Sequence, residues 1–253
     1  MKLFIRLALL CLLLCNYSFG QSSHPVAIQV MKQMMERYKA PGFISFEMNC
    51  KYSPEASPNE YLDSLKGAVK MSGNKYWYRM QESEFVYNGE YLITVFNGEK
   101  LIHLYKTPSS KGGQTGGVVP VDNPVLYQLD SLIRQKLIDI ELNDLNSMYI
   151  VSINFLSHPS YKKMIYTIDK KSKLLHKVVY IVRTAELMGA EFQASGNDGG
   201  FAIVQTIFDH HSTERFDEDI FSGDRFFQKK NDRFVVSPFY EGYRIVTPNE
   251  SGR

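Results

Sequence analysis

The first regular pattern along the chain is helical. In residues 24–39, Val26, Val30, Met34 and Tyr38 recur at four-residue intervals, with further methionines beside them and charged side chains between. This spacing places the apolar side chains on one face of an amphipathic helix. Pro25 suits the first turn of that helix, and the sequence Ala-Pro-Gly directly after Lys39 predicts its end.

From Gly42 the period changes to two. Ile44, Phe46, Met48 and Cys50 alternate with polar residues, which predicts a half-buried strand. Further segments with strand character follow at residues 61–73, 75–80, 84–87, 91–97 and 100–106. The two Asn-Gly pairs at 88–89 and 97–98 favour tight turns, so the first part of the chain is predicted to be a helix followed by an antiparallel meander.

The same order is repeated in the second part of the chain. Residues Pro124 to Ile138 carry an apolar helical face, and strand patterns return at 148–156, 161–170, 174–185 and 201–211. Two segments interrupt this order, a Gly/Ser/Pro-rich stretch at 107–123 and residues 186–200, and both are predicted to be flexible loops. The tail from Phe216 is predicted to be irregular with one closing strand.

The amino terminus has the layout of a signal peptide. Lys2 and Arg6 precede a short run of apolar residues, and small residues lie near Gly20. We therefore expect residues 1–20 to be removed and the protein to be exported, with a periplasmic location. The alternative is a lipid anchor on Cys15, which would attach the protein to the cell envelope. The apolar run is too short to span a membrane, and no transmembrane span is predicted after cleavage.

Loss of the leader changes the charge and the cysteine content. It leaves 27 basic and 27 acidic side chains, which argues against a protein that binds nucleic acid or anionic membranes through a basic excess. Cys50 remains as the one cysteine, so no internal disulfide is expected. A chain of about 230 residues can build one core without such cross-links, and residues 21–253 are predicted to form a single domain.

No stretch of the sequence has the spacing of a catalytic or metal site. His210 and His211 are adjacent in a predicted strand and would point to opposite faces, which is unsuitable for chelation. The acidic run Asp217 to Asp219 lacks the spaced ligands of a calcium loop. The glycines of "KGGQTGG" are not followed by the lysine of a phosphate loop. We therefore predict a protein that is not an enzyme, with neither a cofactor nor a metal.

The composition leaves two interpretations of the apolar residues open. The chain contains 16 Phe, 16 Tyr and 10 Met, spread along the alternating strands. These side chains would fill the core that any β-rich protein of this size needs. They would equally suit a concave sheet whose flexible apolar lining holds an acyl chain beneath a covering helix.

The order of helix, meander, helix and second meander resembles the LolA/LolB-like superfamily of bacterial lipoprotein carriers and receptors. The segments that carry the resemblance are "LKGAVKMSGNKYWYRM", "VFNGEKLIHLYK", "YKKMIYTIDKKSKLLHKVVYI" and "FDEDIF", which together extend from about Pro25 to Phe221. The sequence departs from the family at Trp77, where carriers have an arginine that holds the lid closed. The resemblance implies a mainly β protein with α-helices (α+β), an antiparallel, incompletely closed β-barrel covered by the N-terminal and mid-chain helices.

The resemblance also implies a function. Such barrels hold acyl chains inside, so we expect a non-enzymatic protein of the bacterial cell envelope that binds or carries a lipid or an acylated lipoprotein, with helix Pro124 to Ile138 as its lid. The alternative is a structural or protein-interaction module whose barrel is filled by its own side chains and which binds other envelope proteins. Strand alternation predicts the following lining residues: Ile44, Phe46, Met48, Tyr76, Tyr78, Ile102, Leu104, Val151, Ile153, Phe155, Met164, Tyr166 and Ile168.

Overall fold

The computed structural model describes residues 24–107, 124–188, 200–231 and 233–247. The predicted signal peptide, including Cys15, lies outside these residues. Most of each predicted flexible loop, at 107–123 and 186–200, lies outside them as well.

Three α-helices and fourteen strands make up the described part of the chain. The helices are α1 (His24–Lys39), α2 (Pro124–Arg134) and α3 (Thr184–Met188). The strands are β1 (Phe43–Pro54), β2 (Asp63–Ser72), β3 (Lys75–Met80), β4 (Ser83–Tyr87), β5 (Tyr91–Phe96), β6 (Leu101–Lys106), β7 (Ile138–Asp144), β8 (Met148–Phe155), β9 (Tyr161–Asp169), β10 (Leu175–Arg183), β11 (Phe201–Ser212), β12 (Phe227–Lys230), β13 (Arg233–Val236) and β14 (Arg244–Val246).

Twelve of the strands form one open sheet. Their order is β14-β6-β5-β4-β3-β2-β1-β11-β10-β9-β8-β7, and all neighbours are antiparallel except β14 and β6. The pairing of β1 with β11 joins the first meander to the second. The outermost strands, β7 and β14, are not hydrogen-bonded to each other, so this described sheet is not closed into a barrel. The predicted fold class, a mainly antiparallel and incompletely closed sheet with two covering helices, is confirmed.

The two Asn-Gly turns differ in their geometry. At the first turn Gly89 has φ of +94°, and the Asn88 side chain accepts hydrogen bonds from the backbone N–H groups of Glu90 and Tyr91 at 3.0 and 2.8 Å. At the second turn the left-handed conformation falls on Lys100, with φ of +50°. Both turns reverse the chain, at the two ends of β5.

Helix α2 is shorter than the predicted range of Pro124 to Ile138. It ends at Arg134, and Ile138 already belongs to β7, a strand that the sequence analysis did not predict. The reason is a Schellman motif. Lys136 is left-handed with φ of +54°, its N–H donates to the Ile133 carbonyl at 2.9 Å, and the Leu137 N–H donates to the Leu132 carbonyl at 3.0 Å.

Both faces of the sheet carry a buried apolar cluster. We call them the helix-side face, which is covered in part by α1 and α2, and the tail-side face, on which residues 216–247 pack. The tail-side cluster is formed by Trp77, Val86, Ile93, Val95, Ile102, Leu104, Phe221, Phe226, Phe227 and Tyr240. The predicted irregular tail therefore has a defined packing role, and it contains three short strands instead of one.

A buried carboxylate fixes the tail to the sheet. Glu84 is 5% exposed and accepts hydrogen bonds from Trp77 Nε1 at 2.5 Å and from the Tyr240 hydroxyl at 3.1 Å. The Arg225 guanidinium lies 2.6 Å from the same carboxylate. Burial and the neighbouring Glu84 raise the pKa of Tyr240, which keeps its hydroxyl protonated as a donor. A buried charge needs such partners, because its transfer out of water is costly.

This network yields a prediction for stability. We expect Arg225→Met to lower the free energy of unfolding by about 3 kcal/mol, because it leaves the buried Glu84 carboxylate without its cation. Urea unfolding followed by the fluorescence of Trp77, the one tryptophan of the chain, measures the change. Arg244→Met, at an exposed position in the same tail, is the matched control and should change the free energy by less than about 0.5 kcal/mol.

A double variant separates the charge from the packing. In Glu84→Gln with Arg225→Met, the amide oxygen can accept from Trp77 and the amide NH2 can donate to the Tyr240 hydroxyl, while no charge is buried. Part of the lost free energy should therefore return. Equal unfolding free energies of Arg225→Met and the unmodified protein would contradict the proposed role of the ion pair.

The end of α2 yields a second prediction. Lys136→Gly should raise the free energy of unfolding by about 0.5 to 1 kcal/mol, because glycine adopts the left-handed conformation without the steric cost of a Cβ atom. Gln135→Gly is the control, since this neighbouring residue is not left-handed. Glycine at position 135 should lower the free energy of unfolding. Thermal unfolding measures both variants, and destabilisation by Lys136→Gly would show that the lysine side chain matters more than its backbone.

Candidate functional site

Helix α1 packs on the sheet through its methionines and its last tyrosine. Met31 and Met34 have no exposed surface. The Tyr38 ring packs edge-on against Phe46 at a centroid distance of 6.2 Å, and its hydroxyl accepts a hydrogen bond from the Leu175 N–H at 3.2 Å. Burial raises the pKa of Tyr38, so this hydroxyl stays neutral. The helix is therefore held to the sheet by apolar contacts and by one polar contact at its carboxyl end.

Eleven of the thirteen predicted lining residues lie together on the helix-side face. They belong to one cluster with α1 and α2, in which Tyr78 and Phe155 are partly buried and the others buried. The eleven are Ile44, Phe46, Met48, Tyr76, Tyr78, Val151, Ile153, Phe155, Met164, Tyr166 and Ile168. These eleven side chains thus share one face of the sheet, and their role in ligand binding stays a prediction.

The structure does not bring Ile102 and Leu104 into this group. Both lie on the tail-side face of β6, where they are buried in the second cluster. Their neighbours Leu101, His103 and Tyr105 occupy the helix-side face instead, because successive side chains of a strand alternate between faces. Since apolar residues occur on both faces of β6, alternation could not decide which set points towards the helices.

The centre of the helix-side face is filled by the protein's own side chains. Ile153, Met164 and Tyr166 are fully buried, as are Val151 and Ile168. Burial, and then the neighbouring Tyr180, raise the pKa of Tyr166 well above its usual value. These side chains form a packed core beneath α1. A ligand at this place would have to displace them.

A cleft lies between the two helices, above this core. Its volume is about 260 Å³. Its apolar walls come from Ile28, Met31 and Met35 of α1 and from Leu126 and Leu129 of α2. Four of its other lining residues, Lys32, Glu36, Lys39 and Asp130, are charged. The cleft thus combines a largely apolar, methionine-containing wall with a charged rim, which is the usual composition of a site for an amphipathic ligand.

Two exposed contacts connect the helices across this cleft. The Lys32 ammonium lies 3.1 Å from an Asp130 carboxylate oxygen, and both side chains are more than half exposed. The Lys39 ammonium lies 4.7 Å from the centre of the Tyr127 ring. Exposed ion pairs and exposed cation–π contacts each contribute only about 0 to 1 kcal/mol. These exposed contacts therefore add little to the burial of Leu126 and Leu129, which holds α2 in place.

The helix-side face continues beyond the filled core as a row of partly exposed aromatic side chains. On β3 to β5, Tyr78 stacks on Phe85 with a centroid distance of 4.4 Å, and Phe85 lies 6.5 Å from Phe96. The row continues on β6 with His103 and Tyr105. Burial raises the pKa of Tyr78 to about 12, so its hydroxyl is neutral at physiological pH. We call this set the aromatic row.

Sequence reasoning did not identify the cleft. The apolar faces of α1 and α2 were both predicted from periodicity, but periodicity says nothing about where two helices meet. Within the described residues, no group of three or more His, Cys, Asp or Glu side chains could hold a metal ion. None of the helices in the described ranges is long and apolar enough to cross a membrane.

Neither a protein-family model nor a curated protein sequence matches the chain. Solved structures do match. A LolA superfamily protein from Nitrosomonas europaea has 10% sequence identity and a TM-score of 0.36, with 79% of this chain and 99% of that chain covered. An uncharacterized conserved protein from Thermus thermophilus has 7% identity and a TM-score of 0.44, with coverage of 87% and 98%.

A third match is the MucA/MucB complex of Pseudomonas aeruginosa, with 9% identity, a TM-score of 0.35, and 78% of this chain and 60% of that chain covered. One of these solved structures is thus a LolA superfamily protein, the superfamily that the sequence resembles. All three TM-scores are below 0.5.

Proposed function

We propose that this protein binds a lipid or an acylated partner through the cleft between α1 and α2, and that it acts as a non-enzymatic carrier or binding protein of the bacterial cell envelope. The observation that supports this most is the cleft itself, whose walls are largely apolar and which lies directly above the buried core. The acyl chain would enter between the helices, with α2 as the lid.

The size of the cleft suits an apolar chain. Its volume of about 260 Å³ exceeds the roughly 150 Å³ of an engineered apolar cavity that binds benzene. Methionine side chains are flexible, so Met31 and Met35 can adjust to chains of different shape. Each methylene group that is buried contributes about 0.8 kcal/mol, so a chain of several groups can outweigh the exposed contacts between the helices. A chain in the cleft would itself keep Leu126 and Leu129 covered.

The aromatic row extends the apolar surface. Tyr78 and Phe85 are partly exposed on the same face of the sheet as the filled core. A ligand longer than the cleft could continue along such a surface, since aromatic rings offer a large contact area. We infer export from the leader-like residues 1–20, and this places the ligand in the cell envelope.

A second candidate function is supported by a different observation. The centre of the helix-side face is filled, with Ile153, Met164 and Tyr166 fully buried. This packing fits a structural or protein-interaction module that holds no lipid and binds other envelope proteins. The two functions differ in one measurable property, which is whether an acyl chain occupies the protein.

Binding of a dansyl-labelled fatty acid tests the proposal. We expect saturable binding to the purified protein, with a rise of dansyl fluorescence in the apolar cleft. Ile28→Trp should weaken binding at least about tenfold, because Ile28 lines the cleft and is only partly buried, so the larger ring can fill the space. Native mass spectrometry of protein taken from its own envelope should in addition report a bound lipid.

The control uses the next residue of the same helix. Gln29 is exposed and does not line the cleft, so Gln29→Trp adds the same ring without blocking it and should bind the probe like the unmodified protein. Absence of both bound lipid and saturable probe binding would remove the carrier function and leave the interaction module. An equal loss of probe affinity in both variants would mean that the probe binds away from the cleft.

A further inference from the structure

A second pocket lies at the end of the sheet where β8 begins and where β9 and β11 end. Its volume is about 340 Å³, and it shares no lining residue with the cleft between the helices. We call it the His211 pocket. Its lining residues are Met148, Asp169, Ser172, Leu174, Leu175, His176, His211 and Thr213.

His211 carries a buried polar atom that has no hydrogen-bond partner in the described part of the chain. This atom is Nε2, and the ring of His211 lies against Phe46 at a centroid distance of 5.4 Å. Burial, and then His176, lower the pKa of His211, so the ring is neutral near pH 7. A buried imidazole nitrogen without a partner is costly, and a ligand that supplies a hydrogen bond would recover this cost.

Asp169 holds a second polar group in place. One of its carboxylate oxygens, Oδ1, accepts hydrogen bonds from the N–H groups of Lys171 and Ser172 at 3.1 and 2.7 Å and from the Ser172 hydroxyl at 2.8 Å. These bonds lower the pKa of Asp169 and keep it ionised. Within the described residues, its other oxygen, Oδ2, has no hydrogen-bond partner and remains available as an acceptor.

The charges around the pocket do not favour a charged ligand. Lys170 pairs with Asp144 and lies 5.0 Å from the Tyr149 ring, and Lys173 lies 5.3 Å from the same ring. The Asp169 carboxylate would repel an anion. It would attract a cation, but the Lys170 and Lys173 ammonium groups beside the pocket would oppose that attraction, so neither sign of charge has an advantage.

We propose that the His211 pocket binds an uncharged ligand with adjacent hydroxyl groups, such as a monosaccharide or a polyol. Asp169 Oδ2 would accept from one hydroxyl, His211 Nε2 would bond to a second, and the Thr213 hydroxyl would contact a third. Leu174 and Met148 would pack on the carbon skeleton. A carboxylate, a neutral imidazole and a hydroxyl together match the mixed donors and acceptors of a sugar. This proposal is independent of the proposed acyl-chain binding.

Nuclear magnetic resonance of protein with ¹⁵N-labelled histidine tests it. The probes are glucose, N-acetylglucosamine and glycerol, with inorganic phosphate and ethanolamine as charged comparisons. We expect at least one uncharged probe to shift the ring signals of His211 in a saturable manner, while the exposed His158 remains unshifted. Asp169→Asn keeps the acceptor oxygen of the turn but removes the charge, and it should weaken binding roughly tenfold.

Asp219→Asn is the matched control, because this exposed acid lies outside the pocket and its loss should leave binding unchanged. Three results would overturn the proposal: no saturable shift of His211 with any uncharged probe, an equal shift of His158, or a response to phosphate or ethanolamine alone. The first of these would mean that no uncharged ligand reaches the Nε2 atom of His211.

Discussion

The structure depends on the register in which β1 pairs with β11. This pairing is the one strand contact that joins the two meanders within the described sheet, and β1 pairs with β2 on its other side. A shift of one residue would move Phe46 and Met48 from the helix-side face to the opposite face. The register therefore decides whether the first meander contributes to the core beneath α1. Burial of these side chains, each stabilising by about 1.5 to 3 kcal/mol, holds the register in turn.

The elements that the sequence predicts well are those whose pattern is long and local. Helix α1 has the predicted bounds, and the strands of both meanders lie where alternation placed them. Strand β7 was missed because its apolar residues, beginning with Ile138, continue the apolar run of α2. The left-handed position between the two elements is occupied by Lys136, and not by the glycine or asparagine that would usually indicate the end of a helix. The order of helices and strands was accessible from sequence, whereas this boundary depended on one backbone conformation.

The sequence could not predict contacts that depend on distant residues. Glu84 has the pattern of an exposed strand position, yet it is buried by Arg225 and Tyr240, which follow it by more than a hundred residues. The same tail also covers Ile102 and Leu104. These two residues therefore lie in the tail-side cluster and not among the predicted lining residues of the helix-side face. His211 has the pattern of a polar strand end beside His210, and its burial depends on the packing of Phe46 from β1. In each case the sequence pattern indicates which residues share a face of a strand. Which distant segment covers that face depends on the tertiary structure.

A filled core and an open cleft on the same face are physically compatible. The side chains of the core, such as Tyr166, are held by strands on both sides, so displacing them would cost several kilocalories per mole in lost packing. Among the described elements, helix α2 lies mainly against α1 and β7, and its exposed contacts to α1 are weak. For the proposed acyl ligand, moving the helix would cost less than displacing these core side chains from the sheet. The proposed ligand would therefore act on the contact between α1 and α2, while the strands beneath keep their packing.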